Sequence, residues 1–524
     1  MFIPAEYTEK YIENYRKKIK EYALKGEEEL KFKSFGAITG VYQERSGETY
    51  MVRPRTPAGM IETAQLKAVS KIASKYGKRQ IRFTTRQDIQ FHTVALEDTI
   101  KVIEELKKVN VYTVGTGGDS ARNVACSPLS GLDKEEAFDV TPYALASTNY
   151  IVKDENSVKL PRKLKLAFSS SKDDTGNTAF ADLGFIAEQE EGKEKFRVFI
   201  GGGYGGGSRL AIELKEKIDP KDTLYYAEAV KEFFFKEGDR QNRGKARLRH
   251  LVKKYGEEDF LRRFYDYLEE AKKRGLDLDT EAMKFEEKEN SKTSGKEIDF
   301  QSSKVLETKF PGIYGVYVHP RKGKLATSDL NKIIRYIESL SYEISIRLTP
   351  TQGFILRGIR GEEVEKLLEI IDPFTSEYPM DNSLVCVGAD TCRTGIGSSQ
   401  KLFQRILNKF RNADHSIKTQ LPKLYISGCP SSCGQHLRGE IGFSGKMKKI
   451  DGEMESVYVL YTGGAVGENR KLAEKRGEIT AQELPSFLYQ LAELKRNTGI
   501  KRFSDFLDSK EQEIQELIEK YAVC

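Results

Sequence analysis

Four of the six cysteines in this 524-residue chain fall into two close pairs, Cys386-x5-Cys392 and Cys429-Pro430-x2-Cys433. Four thiolates so arranged can hold a metal centre. Zinc sites usually join one C-x2-4-C pair to a second knuckle of the same kind. Here the first pair is wide, three residues separate the second, and a proline follows Cys429. Gly428 and Gly434 flank the second pair, which suits cluster thiolates carried on an uncrowded turn. The spacing leans towards an iron–sulfur cluster and leaves zinc open. Cys126 and Cys524 have no partner by spacing, and Cys126, between Ala125 and Ser127, reads as a small buried hydrophobe.

The second set of chemically capable residues is cationic: Arg53-x-Arg55, Arg82-x3-Arg86, Arg122-Asn123 and Arg162-Lys163-x-Lys165, all in or beside predicted strands. Alternation along a strand sets Arg53 with Arg55, and Lys163 with Lys165, on one face. Cations on a strand face inside a core-forming domain are costly unless they meet anions. One such set is an ordinary solvated sheet face; four in one half of the chain point to an anion-binding centre. Guanidinium forks suit carboxylates and small oxyanions, and a lysine serves as a mobile charge and proton donor. The five histidines (His92, His250, His319, His415, His436) share no metal-ligand spacing, and no HExxH or Ser-His-Asp pattern is present. The run Gly201-Gly202-Gly203-Tyr204-Gly205-Gly206-Gly207 matches G-x-G-x-x-G but lies far from a first βαβ unit. It reads as a structural turn or a backbone wall against a flat cofactor, because Gly463-Gly464-Ala465-Val466-Gly467 sits at the equivalent place later in the chain.

The elements that must carry these residues come in two copies. Tyr50–Arg55, Gly59-Met60 and Ile81–Gln87 in the first half match Val316–Arg321, Gly323–Leu325 and Ile346–Gln352 in the second. Each copy reads strand, turn, amphipathic helix, strand, strand, helix. Helix Thr63–Tyr76 gathers Ala64, Leu66, Ala68, Val69, Ile72 and Ala73 on one face, and helix Ser328–Leu340 gathers Leu330, Ile333, Ile334 and Ile337. Further on, Phe180–Phe185 matches Arg438–Phe443, and Val198–Gly203 matches Val459–Gly464. The order is A, B, A′, B′, with the cysteine pairs in B′ only. The expected class is α+β: two ferredoxin-like half-domains, A and A′, forming one unit, plus two α/β domains, B and B′. The expected boundaries are 1–30 for an N-terminal helical segment, 31–112 for A, 113–300 for B, 301–375 for A′ and 376–524 for B′ with C-terminal helices. Domain B includes a charged helical segment from about Ala211 to Lys288 and a polar linker around Glu289–Lys296.

Composition excludes several classes. Hydrophobic residues make up 38% and charged residues 31%, with a net charge of +7. That excess is small for the length, so neither nucleic acid nor a membrane is an expected partner. The N-terminus lacks the apolar core of a signal peptide and no run has the apolar length of a membrane span, which reads as cytoplasmic. Clustered cysteines in that compartment suit metals better than disulfides.

Together these residues resemble the siroheme- and [4Fe–4S]-containing sulfite and nitrite reductases, from Phe35-Gly36 to about Gly467. The resemblance rests on the cysteine quartet and on Thr84-Thr85-Arg86-Gln87-x2-Gln90-Phe91-His92, Arg122-Asn123-Val124 and Leu160-Pro161-Arg162-Lys163-Leu164-Lys165. It implies a [4Fe–4S] cluster on Cys386, Cys392, Cys429 and Cys433, with Cys433 also ligating the siroheme iron. Arg82, Arg86, Gln90 and Arg162, with Arg55 beside them, are expected at the carboxylate-rich macrocycle. Arg53, Arg122, Lys163 and Lys165 are expected to bind the oxyanion and supply protons. The implied reaction is six-electron reduction of sulfite to sulfide, with nitrite to ammonia as the alternative. A metal-stapled binding protein without catalysis is the rival of another class. Lys163-x-Lys165 and Arg53-x-Arg55 resemble the sulfite type, because family nitrite reductases tend to carry asparagine at the place of Lys165 and lysine at that of Arg55. No flavin or nicotinamide domain is evident in the sequence, so electrons are expected from a ferredoxin or a separate flavoprotein.

Overall fold

A computed structural model describes residues 4–276 and 294–523. Cys524 and residues 289–293 of the expected linker lie outside the described residues. The chain divides into two compact units. The first comprises residues up to 203, 207–318 and 324–373; the second comprises 204–206, 319–323 and 374 onward.

Within the first unit the two half-domains exchange edges. One sheet runs Val41–Gln43, Tyr50–Val52, Ile89–Val94, Gln80–Phe83 and then Lys324–Ala326, a strand from the second half of the chain. In return Met60 bridges to Arg347, and Ile61 N–H donates to Ile346 O at 3.2 Å on the other half-domain's sheet. That sheet runs Val305–Glu307, Ile313–Val318, Phe354–Arg360 and Ser345–Leu348. The equivalent helices, Thr63–Tyr76 and Thr327–Ser339, pack together; Ser70 Oγ and Asn331 Oδ1 are 2.7 Å apart. The buried stripe of the first helix is Leu66, Val69, Ser70, Ile72 and Ala73. Ala64, expected on it, is exposed, because two residues advance the helix by about 200° from Leu66. The helix starts with a reciprocal cap between Glu62 and Gln65.

Domains B and B′ are the same sheet built twice. In the first unit the order is Ala125–Cys126, Leu166–Ser169, Leu183–Glu190, Lys193–Ile200, Ile212–Glu213. In the second it is Leu384–Val385, Leu424–Ser427, Ile441–Ile450, Glu453–Thr462, Glu474–Thr480. Both have two parallel pairs followed by two antiparallel pairs. The register corrects one detail of the sequence alignment. Leu183 faces Ile200 and Ile441 faces Thr462, so Ile200 is the counterpart of Thr462, one place off the sequence match. The reason lies in the glycines: Gly201 (φ 81°) and Gly463 (φ 80°) leave the strand in the same left-handed turn, each donating its N–H to the residue before the facing strand, Asp182 or Glu440.

Each sheet carries its own core. Phe168, Phe185, Phe196, Val198 and Ile200 pack against helices Thr223–Glu237 and Glu257–Arg274 through Phe233, Phe234, Phe260 and Phe264. Ile426, Ile441, Phe443 and Leu460 pack against helices Ser399–Phe410 and Leu484–Thr498. Among the described residues the charged segment after Ala211 forms helices Thr223–Glu237, Arg249–Tyr255 and Glu257–Arg274, each with buried apolar residues.

Candidate functional site

In the first unit the cations gather where loops lead into strands. Arg53 and Arg55 follow strand Tyr50–Val52 instead of continuing it, because Pro54 between them has no N–H for a ladder. They part company as a result. Arg53 donates to Thr116 O at 2.9 Å, and its buried Nε has no partner. Arg55 is buried, donates to Ala121 O at 3.0 Å and is driven towards its neutral form by burial. Arg122 precedes strand Ala125–Cys126 and grips Thr116 O and Gly118 O, leaving its own Nε unpartnered. Tyr42 joins these two arginines: its hydroxyl accepts from Gly118 N–H at 2.7 Å, and Arg53 lies over its ring. Burial pushes the Tyr42 phenol up, but Arg122 and Arg53 outweigh burial and hold it below its ordinary value.

The turn after strand Gln80–Phe83 projects Arg86. Thr84 Oγ1 accepts from the N–H groups of Arg86 and Asp88, and Gln87 takes a left-handed conformation. Arg86 then donates to Asn123 O at 2.8 Å and to Leu166 O. Arg82 is buried in that strand, across the ladder from Gln90. Gln90 Oε1 meets His92 Nε2 at 3.3 Å, and His92 Nδ1 meets the buried Glu44 at 2.6 Å, so this histidine is satisfied structure. Arg162 pairs with Asp119 at 3.2 Å. Lys163 and Lys165 sit just before strand Leu166–Ser169, where Lys165 N–H donates to Asp182 Oδ2 at 2.8 Å.

These groups form one electrostatic field. Burial lowers Arg86 and Arg122 to about 10. Burial, together with Lys163, Arg86 and Arg247, pushes the Lys165 ammonium well below its usual value despite Asp182. Two members were missed in sequence. Arg247 donates to both oxygens of the fully buried Asp182 at 3.0 and 2.8 Å. Arg249 donates to Gly207 O at 3.0 Å and is lowered to about 10 by burial and by Arg247. The spacing Arg247-x-Arg249 was the available signal, hidden inside a segment read as charged and helical.

In the second unit the two cysteine pairs leave neighbouring parallel strands at their carboxyl ends. Strand Leu384–Val385 runs into Cys386, and strand Leu424–Ser427 into Cys429. Parallel strands that end side by side bring the loops beyond them together, as in ligand sites at the carboxyl edge of other parallel sheets. Cys386 N–H ties back to Ile426 O at 3.0 Å, and Cys392 N–H to Gly388 O at 2.9 Å. Ser432 and Gln435 take left-handed conformations on either side of Cys433. All four thiols are free of disulfides and reach the surface partly; Cys433 is the exposed one. Cys386 Sγ accepts from Gly428 N–H at 3.0 Å and lies 3.3 Å from Ser399 Oγ; Cys392 Sγ lies 3.3 Å from Thr394 Oγ1. Among the described residues no three or more His, Cys, Asp or Glu side chains close round a single ion. A cubane cluster puts each thiolate on a different iron, which spreads its ligands wider than a mononuclear site does. The two copies of the sheet thus use opposite ends: cations before the strands in B, cysteines after them in B′.

A duplicated α+β chain with a thiolate quartet and a buried cationic field defines a metal-cofactor oxidoreductase that acts on anions. The family model for the nitrite/sulfite reductase ferredoxin-like half domain matches residues 42–109 and 309–374. The model for the nitrite and sulphite reductase 4Fe-4S domain matches residues 117–272, in the copy that lacks the quartet. Ferredoxin–nitrite reductase of Synechococcus elongatus is 29% identical over 459 residues, covering 84% of this chain and 85% of the relative. Sulfite reductase [ferredoxin] 1 of Mycolicibacterium paratuberculosis is 24% identical, covering 84% and 78%. The Mycobacterium tuberculosis NirA structure superposes with a TM-score of 0.80 at 22% identity over 98% of both chains, which establishes the fold. The chain belongs to the siroheme- and [4Fe–4S]-containing nitrite/sulfite reductase family, and these two groups are its cofactors. That settles the metal, which spacing left open between iron–sulfur and zinc.

The residues present fit both groups. No disulfide joins the quartet, and Cys386 already accepts an N–H bond of the kind a thiolate ligand receives. The buried, unpartnered Nε–H groups of Arg53 and Arg122 match the acceptors of a polycarboxylate or an oxyanion. Among the described residues no helix is long and apolar enough to cross a membrane.

Proposed function

We propose that this oxidoreductase reduces nitrite to ammonia with electrons from a ferredoxin. The observation that carries this reading is the similarity to a ferredoxin–nitrite reductase along 84% of the chain. It replaces sulfite, the substrate expected from the sequence, as the leading choice. One physical point agrees with the change. Arg55, half of the Arg-x-Arg argument for sulfite, is buried with a guanidinium N–H on Ala121 O, whereas Arg53 keeps a buried N–H without a partner. Its contribution is to hold the segment that carries Arg53.

When bound, the siroheme supplies an iron for the oxyanion and the cluster supplies electrons one at a time. The chain's own residues do the rest. Arg53 and Arg122, held rigid by backbone carbonyls, bind substrate oxygens. Lys163 and Lys165 supply protons as each oxygen leaves as water. Lys165 suits this role because its buried ammonium gives up a proton readily. Arg82, Arg86, Gln90 and Arg162 would hold carboxylates of the macrocycle. Cys386, Cys392, Cys429 and Cys433 would hold the cluster, and Cys433, the most exposed of these thiols, would be the one to serve the siroheme iron as well.

Sulfite remains the second reading, favoured by two lysines in Lys163-x-Lys165 where a monoanion needs fewer fixed charges. Steady-state turnover of both anions with reduced ferredoxin and with a reduced dye tests the choice. A higher kcat/KM for nitrite is expected; a higher value for sulfite reverses the assignment.

A further inference from the structure

Beyond its four thiols, the cysteine-bearing domain contains a buried hydroxyl aimed at one sulfur. Ser399 opens helix Ser399–Phe410 and is fully buried. Its Oγ lies 3.3 Å from Cys386 Sγ, and Gly428 N–H donates to the same sulfur at 3.0 Å. A metal-bound cysteine has no proton to give, so the serine hydroxyl must be the donor. Near Ser399 stands Tyr458, also fully buried, whose hydroxyl has no hydrogen-bond partner. The backbone is shaped round this arrangement. A Cβ on Gly397 would stand 2.5 Å from the Tyr458 hydroxyl, and one on Gly428 would stand 3.0 Å from Ser399 Oγ. Glycine at both places leaves room for the tyrosine and serine hydroxyls. Thr394 offers Cys392 a hydroxyl at the same distance, but Thr394 is exposed and competes with water.

We propose that Ser399 raises the reduction potential of the cluster by hydrogen bonding to the Cys386 sulfur. Reduction adds one negative charge that is shared with the sulfur ligands. A donor fixed on a ligand sulfur stabilises the reduced form more than the oxidised form, and more strongly where water is excluded. Ser399 is thus a positioning and tuning residue of the electron path, not a ligand. The inference rests on Cys386 being a cluster ligand.

The test is an EPR-monitored redox titration of the full chain loaded with siroheme and cluster, with iron content measured alongside. Ser399→Ala at full iron content is expected to shift the cluster potential to a more negative value. Ser399→Thr, which keeps the hydroxyl, is expected to stay near wild type. An unchanged potential in Ser399→Ala at full iron content overturns the proposal. If Ser399→Ala loses iron, Ser399→Gly at full iron content decides: a negative shift supports the proposal and no shift overturns it. Cys386→Ala separates the underlying assignment. A full complement of cluster iron in that variant means that Cys386 is not a ligand, whatever Ser399 does.

Discussion

Gln87 and Gln352 hold the two half-domains together by the same reach in opposite directions. The Gln87 side-chain amide donates to Leu348 O at 2.7 Å, and that of Gln352 donates to Phe83 O at 3.5 Å. Phe83 and Leu348 are themselves equivalent in the duplicated motifs, and both glutamines sit in left-handed turns, at φ 57° and 66°. The pair marks an approximate two-fold relation inside a single chain. It also tethers the turn that aims Arg86.

Gln87 has a further load. Its amide also bonds both N–H and C=O of Cys126, at 2.9 Å each, with the side chain fully buried. Gln87→Ala removes these contacts and strands buried backbone groups, so a loss of about 3 kcal/mol of stability is expected. Urea denaturation of the purified variant measures it, and a loss within about 0.5 kcal/mol of wild type counts against the tether.

Asp182 is buried against Arg247 and receives Lys165 N–H. Asp182→Asn leaves the guanidinium without its counter-charge inside the protein, and a cost of about 3–5 kcal/mol is expected. Thermal or denaturant unfolding reads the loss. Replacement of both partners by apolar residues of matching size should recover much of it.

Lys165 separates the two substrate readings. Lys165→Asn is expected to cut kcat/KM for sulfite by about tenfold more than that for nitrite, a difference of about 1.4 kcal/mol in transition-state binding. Equal losses for the two anions would mean that Lys165 does not discriminate between them.

His436 makes stability depend on acid. Burial lowers it from 6.5 to about 4. The unfolded chain therefore takes up a proton between those values while the native chain does not. Stability attributable to this group is intact above pH 6.5, falls as the pH drops towards 4, and is then lost by about 3 kcal/mol. Denaturation midpoints from pH 7 to pH 4 should show a shallower fall in His436→Phe than in wild type.

The quartet assignment can be checked by removal. Cys429→Ser and Cys433→Ser are each expected to lose most of the cluster iron, and Cys433→Ser also to alter the siroheme absorption bands. Iron analysis and a visible spectrum suffice. A Cys433→Ser spectrum identical to wild type contradicts the role proposed for that thiol.

What the sequence determined alone was local and repetitive: the quartet, the duplication, helix Thr63–Tyr76 with most of its buried face, and the family. Each follows from spacing or periodicity within a short window, where backbone geometry relates position directly to direction. The tertiary structure decided the rest. Arg53 and Arg55 alternate in sequence, yet one keeps a buried free N–H while the other is spent on Ala121 O, because Pro54 ends the strand and the chain beyond residue 112 folds against it. Arg247 and Arg249 enter the cationic field at the start of helix Arg249–Tyr255, from a segment whose sequence reads only as charged and helical. Strand Lys324–Ala326 joins the sheet of the other half-domain across more than 230 residues of chain. Such pairings depend on hydrogen-bonding groups that are brought together only when the whole chain has folded, and no local pattern encodes them.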